Sequence, residues 1–536
     1  MTRRTARRTR TTGLLLASAL ALAACGSTVQ NTGGDSLAGG AVPGVAAPEL
    51  GGNGLSAPGA GASGAAPGTS RGTDSLITGG AQGTTGTTTG STTTVGPAPG
   101  STVPGGQAGG GANPGTAPAD IVPGGQTATA PVGPGVTAKT INIGVPFCND
   151  CASGNAALGA GGEDPGDTRR YYQAAIDDVN SRGGVLGRKL APVFHKISVA
   201  DNIDASAQAA CETFTKDNKV LIINFRGSLS YECAKKAGIL VNGSGGTGPV
   251  YDKYPNLFAP ASIRLERLFE VTVKGMVTAG WQKPDQKWPT GKIGLITWDD
   301  NEYRFAMKNG YLKGLAGAGL KDEEIRYVAV PQNANALADA SAAISNAVLS
   351  FRQKGIDHVF IGDGPAGIFA GAGLTLLFLQ NAKSQNYYPR YGFNSNNVPD
   401  FDSHPKDQLV GMLAVDSFDT AAANDEGIAL NPVRERCFAV MKNKGLPVGQ
   451  GQTQALAVNA CDMAYFAEAV LKRATAGTTL PNMIAAAESL GTSYRSPFSF
   501  GNRIGRGQHD GVALFRSLKF DDACSCITYT SKPFEP

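Results

Sequence analysis

Nine cysteines and four histidines are the rarer side chains of this 536-residue sequence that could carry chemistry. Cys148-Asn149-Asp150-Cys151 has the C-x-x-C spacing of a redox dithiol, and together with Cys524 and Cys526 it would also offer four sulfurs to zinc. A redox pair of the thioredoxin kind opens a helix, whereas the Ala152-Ser153-Gly154-Asn155 that follows reads as loop, so a bridge stiffening that loop is the expected state. His195, His358, His404 and His509 are far apart, show no H-E-x-x-H or other metal spacing, and read as surface or turn residues. Asp299, Asp300 and Glu302 are near enough in sequence for general acid–base work, but a solvated loop after a strand accounts for them. Gly68-Thr69-Ser70-Arg71-Gly72 matches the G-x-S-x-G nucleophile elbow without the strand and helix that an elbow needs. Gly243-Ser244-Gly245-Gly246-Thr247-Gly248 fits G-x-G-x-x-G after a strand, a pattern that cradles phosphates only where a helix opens at once. Pro249 to Pro255 reads as forming none, which leaves a loop whose glycines let backbone N–H groups approach a small solute. No catalysis, metal or cofactor is expected from these patterns.

The elements that must position such residues begin late in the chain. Arg3, Arg4, Arg7, Arg8 and Arg10 precede the apolar stretch Leu14 to Ala24, which ends in Leu22-Ala23-Ala24-Cys25, the three regions of a secretory signal over residues 1–24. The run is similar to the lipobox of bacterial lipoproteins. That similarity implies acylation of Cys25 and a mature chain held by lipid on the extracytoplasmic face of the cell membrane, with Sec and twin-arginine export both open. The apolar run is shorter than the ~20 residues of a spanning helix, and no later segment supplies them. Residues 25–137 are mostly Gly, Thr, Pro, Ala and Ser, with no aromatic residue. Such a segment cannot bury enough apolar surface to offset its conformational entropy and reads as a disordered tether, with an end-to-end distance of roughly 60 Å. The 47 basic and 43 acidic residues give +4, but five of the arginines belong to the leader, which leaves 42 against 43. No polycationic surface argues for a nucleic acid partner.

Every aromatic residue falls in the remaining 400 or so residues, too many for one core of ordinary size, so two lobes are expected. Strand and helix patterns alternate. Ile141 to Val145, Val220 to Ile223 and Gly238 to Val241 read as buried strands, with a helix over Tyr171 to Asn180. A second series follows: strand Lys292 to Ile296, helix Phe305 to Ala318, strand Tyr327 to Val330, helix Ala338 to Lys354 and strand Val359 to Ile361. The fold class is therefore α/β, two Rossmann-like lobes with parallel sheets flanked by helices, and ligands are expected beyond the carboxyl ends of the strands.

From Ala174 to Leu190, across Asn180-Ser181-Arg182-Gly183-Gly184, the chain resembles the type I periplasmic binding proteins, in particular the branched-chain amino acid and amide receptors of ABC importers. Phe225-Arg226-Gly227-Ser228, Thr247-Gly248-Pro249, Pro255-Asn256-Leu257-Phe258 and Trp298 to Tyr303 continue the resemblance. It implies a multi-strand hinge, with residues 138–258 and 398–508 forming lobe 1 and residues 259–397 and 509–536 forming lobe 2. It also implies a solute held between the lobes: by Ser228 and Thr247, with Ser244 and Gly245 in the glycine-rich loop, and by Tyr303 closing from the second lobe. Where amino acid receptors carry an acid for the ammonium group this chain reads Gly362-Asp363-Gly364, so Asp363 is the expected partner, and Arg304 stands where the family has glycine. These departures extend the solute range from amino acids to amides, carboxylates and more apolar solutes.

Apart from Cys25, eight cysteines remain, an even number that suits disulfides in an exported chain. The expected pairs are Cys211–Cys233 and Cys437–Cys461 between neighbouring helices, and the local Cys148–Cys151 and Cys524–Cys526; spacing alone leaves the connectivity open. The expected function is a lipid-anchored solute receptor serving ABC permease subunits. A sensory receptor reporting to a membrane protein, and a redox lipoprotein using Cys148 and Cys151, are the alternatives.

Overall fold

Strand β1, Thr140–Phe147, buries Ile141, Ile143 and Val145 together with Gly144, so both of its faces are covered, as a parallel strand between helical layers requires. The computed structural model describes residues 132–150, 164–198, 201–224, 228–243, 245–332, 336–364, 373–397, 404–418, 431–449 and 452–536. Cys25 with its leader and the tether up to residue 131, Cys151, Ser244, the G-x-S-x-G match and the side chain of Ser228 lie outside the described residues.

β1 joins β2 (Lys189–Lys196), β3 (Ile222–Asn224), β4 (Leu240–Asn242) and β5 (Leu257–Phe258) in a parallel sheet of order β2-β1-β3-β4-β5. The second sheet takes β6 (Ile293–Asp299), β7 (Asp322–Ala329), β8 (His358–Gly362), β9 (Arg390–Asn394), β10 (Leu413–Asp416), β11 (Arg516–Asp521) and β12 (Cys526–Tyr529) in the order β12-β11-β10-β9-β8-β6-β7. It is parallel from β7 to β10, and β11 and β12 add an antiparallel edge. Both lobes thus have the doubly wound α/β architecture read from the sequence.

Helix α1, Arg169–Ser181, buries Tyr171, Tyr172, Ala175, Ile176 and Val179, a stripe at helical spacing that packs on the first sheet. It ends at Gly183 (φ 103°) and Gly184 (φ 74°), whose N–H groups close on the carbonyls of Asn180 and Val179 at 3.2 Å. A Cβ on Gly184 would sit 2.1 Å from the Arg188 carbonyl oxygen, so this helix-to-strand reversal tolerates only glycine.

In the second lobe, helix α2, Leu265–Thr278, lies against a helical segment that starts at Asn301, earlier than the sequence pattern suggests. That segment runs Asn301–Ala306, then a π turn Met307–Leu312, then Lys313–Gly317. A Cβ on Gly310 would meet Phe269 Cβ at 2.5 Å and the Glu266 carbonyl oxygen at 2.6 Å. Glycine therefore lets the two helices touch backbone to side chain.

Each lobe is built from separated stretches of chain. The first core combines Ile141, Ile176, Leu240 and Phe258 with Cys437, Cys461, Phe466, Met483 and Ile504. The second runs from Ile263 through Trp298, Phe360 and Val415 to Val512, Phe515 and Ile527. The crossings are marked by the bridges Ala259↔Asp510, Phe418↔Ser499 and Asn502↔Val512. Because β10 at Leu413–Asp416 is a strand of the second sheet, the return to lobe 1 comes after residue 416, which corrects the boundary placed at 398.

Disulfides join Cys211 to Cys233 and Cys437 to Cys461, the latter pair fully buried between helices, and Cys524 to Cys526 at the β11–β12 turn. Cys148 is also disulfide-bonded, and its partner lies outside the described residues. Among the described residues no helix is long and apolar enough to cross a membrane.

Candidate functional site

Sheet order locates the crevice. In the first sheet the chain leaves β1 towards β2 on one side and returns as β3 on the other; in the second, β7 and β8 flank β6 in the same way. A doubly wound sheet opens at such a switch point beyond the carboxyl ends of its strands, here Phe147 and Asn224 in lobe 1 and Asp299 and Gly362 in lobe 2.

The loop after β4 carries the glycines singled out in the sequence. Gly245 (φ +65°) and Gly246 (φ +88°) take left-handed conformations open to glycine, and the turn is held by Tyr251 donating its hydroxyl to the Gly245 carbonyl at 2.7 Å and by Leu265 N–H donating to the Gly246 carbonyl at 2.9 Å. A short helix, Gly248–Lys253, does open at once, contrary to the sequence reading, with Pro249 in its first turn. Thr247 precedes it. Its side chain is 2% exposed and makes no capping bond, so its hydroxyl has no partner among the described residues. Ser228 opens the helix Ser228–Lys236 after β3, the position in the chain expected for it.

In the second lobe, after β6, Asp300 caps the helical segment by accepting from Glu302 N–H at 2.7 Å, and this places Glu302 and Tyr303 in its first turn. The Tyr303 ring is buried, 5% exposed, and its hydroxyl lies over the end of β8: a Cβ on Gly364 would be 2.7 Å from it and 3.1 Å from Asn396 Nδ2. Burial raises the pKa of that hydroxyl well above its ordinary value, helped by the charges of Asp363, Glu302 and Asp300, so it is a neutral donor. It makes no hydrogen bond among the described residues.

Asp363, the ammonium partner expected from the sequence, is engaged by groups of the protein itself. Its carboxylate is fully buried and takes four donors: Trp298 Nε1 at 3.0 Å and Gly364 N–H at 2.8 Å on one oxygen, Thr375 N–H at 2.9 Å and Thr375 Oγ1 at 3.0 Å on the other. With both oxygens engaged, the group fastens the β8 loop to the helix Gly373–Ser384. Burial pushes its pKa up, and the four donors oppose that shift.

Sequence reasoning missed two carboxylates. Glu266 in the first turn of α2 accepts Gly248 N–H at 2.9 Å, tying the second lobe to the loop of the first, and burial raises its pKa. Glu302 was read as a solvated loop residue; burial, then Asp300, then Glu266 push its pKa up to about 7. Its carboxylate has no hydrogen-bond or ion-pair partner among the described residues. The i,i+2 spacing from Asp300 was the one available signal, and only the fold supplies the burial.

Among the described residues no group of three His, Cys, Asp or Glu side chains is placed to bind a metal. The histidines correct the surface assignment, since His358, His404 and His509 are buried. His358 pairs with Asp357 at 2.7 Å, and His509 bridges the Leu257 carbonyl and Glu488, each at 3.0 Å. Beside it, Asp510 accepts from Arg267 and lies 3.3 Å from Arg264, a buried charge cluster where the chain crosses between lobes.

Comparison with known proteins places this geometry. No curated protein matches the chain. Among solved structures it is similar to a fatty acid ABC transporter substrate-binding protein from Thermomonospora curvata (18% identity, 76% of this chain and 95% of that one, TM-score 0.54). It is likewise similar to a branched-chain amino acid ABC transporter protein from Thermus thermophilus with bound valine (13%, 75% and 98%, TM-score 0.53). A third is a solute binding protein of an ABC transporter from Rhodopseudomonas palustris HaA2 in complex with p-hydroxybenzoic acid (15%, 74% and 97%, TM-score 0.54). At such identities the likeness is one of fold. The family model for periplasmic binding proteins, a family of binding proteins and not of enzymes, matches residues 156–521, which is most of the chain. Two doubly wound lobes and a match of that extent lead to one assignment: the chain belongs to the periplasmic binding protein family.

Proposed function

We propose that this chain is a lipid-anchored extracytoplasmic receptor that captures a small polar or amino-acid-like solute between its two lobes and delivers it to an ABC-type permease. The observation that carries the reading is the pair of hydroxyls of Thr247 and Tyr303. Both side chains are packed in place, 2% and 5% exposed, yet both hydroxyls lack a partner among the described residues, Thr247 in the loop after β4 of one lobe and Tyr303 in the helical segment after β6 of the other. Groups fixed this firmly and left unpaired suit a solute that completes their hydrogen bonds. Neutral hydroxyls and the N–H groups of the Gly245-Gly246 turn can receive a carboxylate without an ion pair, which suits reversible capture. The solutes named for the similar structures, valine and p-hydroxybenzoic acid, both carry a carboxylate. Ser228 and Ser244 are assigned to the same end of the solute, and Cys25 to the lipid anchor.

A thermal-shift and calorimetric screen of the full chain against amino acids, amides, short carboxylates and aromatic acids tests the reading. Ligand at about 100 Kd should add roughly 2.7 kcal/mol of stability. Thr247→Val should weaken a carboxylate solute by on the order of 1–3 kcal/mol and leave the unliganded stability unchanged, because the hydroxyl caps nothing. If no class of compound stabilises the protein, the receptor reading fails. Lipid incorporation in cells that persists in Cys25→Ser removes the proposed anchor.

A further inference from the structure

We propose that the Cys524–Cys526 bridge is a site of thiol–disulfide exchange, an exposed acceptor of two electrons from a low-molecular-weight thiol, distinct in role from the disulfides that hold the lobe interiors. The proposal goes beyond the receptor reading and does not depend on it.

The bridges described differ first in where they lie. Cys437 and Cys461 are fully buried between helices, and Cys211 and Cys233 are half-buried between two more. Cys524 stands exposed in the turn 522–525, and Cys526, half-buried, opens β12. A thiol arriving from solvent therefore meets the sulfur of Cys524 first. The loops closed differ as well. The stabilisation that a disulfide draws from the unfolded chain grows with the loop it closes. Cys437 and Cys461 are 24 residues apart and Cys211 and Cys233 are 22 apart, whereas Cys524 and Cys526 are 2 apart.

The hairpin is fixed without the bridge. β11 and β12 pair in register from Leu518↔Tyr529 to Asp521↔Cys526, and Leu518, Phe520 and Ile527 are buried in the second core. Thr530 N–H donates to the Ser517 carbonyl at 2.8 Å, and the Tyr529 hydroxyl to the Phe418 carbonyl at 2.9 Å. At the turn, Asp521 accepts from Ala523 N–H at 3.0 Å and pairs with Lys519 at 3.3 Å. An independent observation concerns the residue between the two sulfurs. Ser525 has φ 50°, a left-handed backbone that costs energy in a residue with a Cβ. Opening the ring frees Ser525 to leave that conformation, so backbone relaxation favours the dithiol. Exposure and a constrained backbone are the conditions under which a disulfide exchanges instead of serving as a permanent tie.

In the exchange an external thiolate attacks Cys524 Sγ, the bond between Cys524 and Cys526 breaks, and Cys526 leaves as a thiolate that takes a proton from water. A second external thiolate then attacks the external sulfur of the mixed disulfide and releases Cys524, which is protonated in turn. Two external thiols are oxidised to one disulfide, and the Cys524–Cys526 pair takes up two electrons and two protons.

The test uses the full chain, isolated without reductant and held in glutathione buffers of stepped redox ratio, with free thiols alkylated and the cysteine peptides read by mass spectrometry. Cys524 and Cys526 should become alkylated in buffers about tenfold or more less reducing than those that open Cys211–Cys233 or Cys437–Cys461. Cys526→Ser should leave a Cys524 thiol that takes up one glutathione from its oxidised form. Replacing Cys524 and Cys526 together by serine should lower the denaturation midpoint by less than half the shift seen when Cys437 and Cys461 are replaced, a readout that separates an exchange site from a tie. Opening of Cys524–Cys526 together with or after the other two bridges overturns the proposal, as does a stability loss in the double variant as large as that from Cys437 and Cys461. Free thiols at both positions in the chain as isolated, or no glutathione uptake by Cys526→Ser, overturns it as well.

Discussion

Replacing Asp363 with alanine separates a structural carboxylate from a ligand contact. The substitution strips four donors of their acceptor inside a fully buried loop: Trp298 Nε1, Gly364 N–H, and the N–H and hydroxyl of Thr375. Each buried donor left unpaired costs about 1–3 kcal/mol. Water entering the vacated space and relaxation of the Thr375 hydroxyl recover part of that, so the net loss should be roughly 3–5 kcal/mol. The loss should appear as a lower denaturation midpoint at unchanged slope in guanidinium, with Trp298 fluorescence shifted because its indole N–H faces no acceptor. Solute affinity, measured well below the unfolding midpoint, should change far less than stability. A loss below about 1 kcal/mol together with a collapse of affinity would show the carboxylate to be a ligand contact and refute the reasoning.

Ionising Glu302 in the unliganded protein is unfavourable, and the sign can be worked out. Its folded pKa of about 7 lies above the ordinary 4.5, so the native state holds the proton more tightly and stability falls as pH rises from about 4.5 to about 7, by about 3 kcal/mol. Glu302→Gln should lose this slope in denaturation midpoints taken across that range. Cys437→Ala with Cys461→Ala removes a buried bridge that closes 24 residues and should lower stability by roughly 3–4 kcal/mol, read from chemical denaturation under oxidising conditions. Gly364→Ala puts a methyl group against the Tyr303 hydroxyl and should cost about 1–3 kcal/mol, a loss that Tyr303→Phe in the same chain should partly reverse in a double-mutant cycle.

The strands were legible because parallel strands covered on both faces read as continuous apolar runs, as at Leu295-Ile296 and Val359-Phe360-Ile361, all buried. The Asn180-to-Gly184 reversal was legible because positive φ leaves few residue choices. Tertiary partners were not. The donors that occupy Asp363 come from Trp298 and Thr375, 65 and 12 residues away, and nothing near Asp363 in sequence announces them. Glu302 looked solvated because acids surround it in the chain, and its burial comes only with the fold. The short helix Gly248–Lys253 was passed over because prolines bracket it, although proline is at home in a first turn. The lobe boundary slipped because β10 is only four residues long and its place beside β9 rests on pairing, not on pattern.

The interleaving of the two cores has a consequence for how the molecule comes into being. Ile141 and Phe258 belong to a core that also needs Phe466, Met483 and Ile504, and Ile263 to one that also needs Phe515 and Ile527. Neither core is complete without the segment from Ile504 to Ile527. Both interiors therefore stay incomplete until that segment joins them, and a stop before it spoils two lobes at once. Solute capture, in this light, is a property that no growing chain possesses until its final strands are in place.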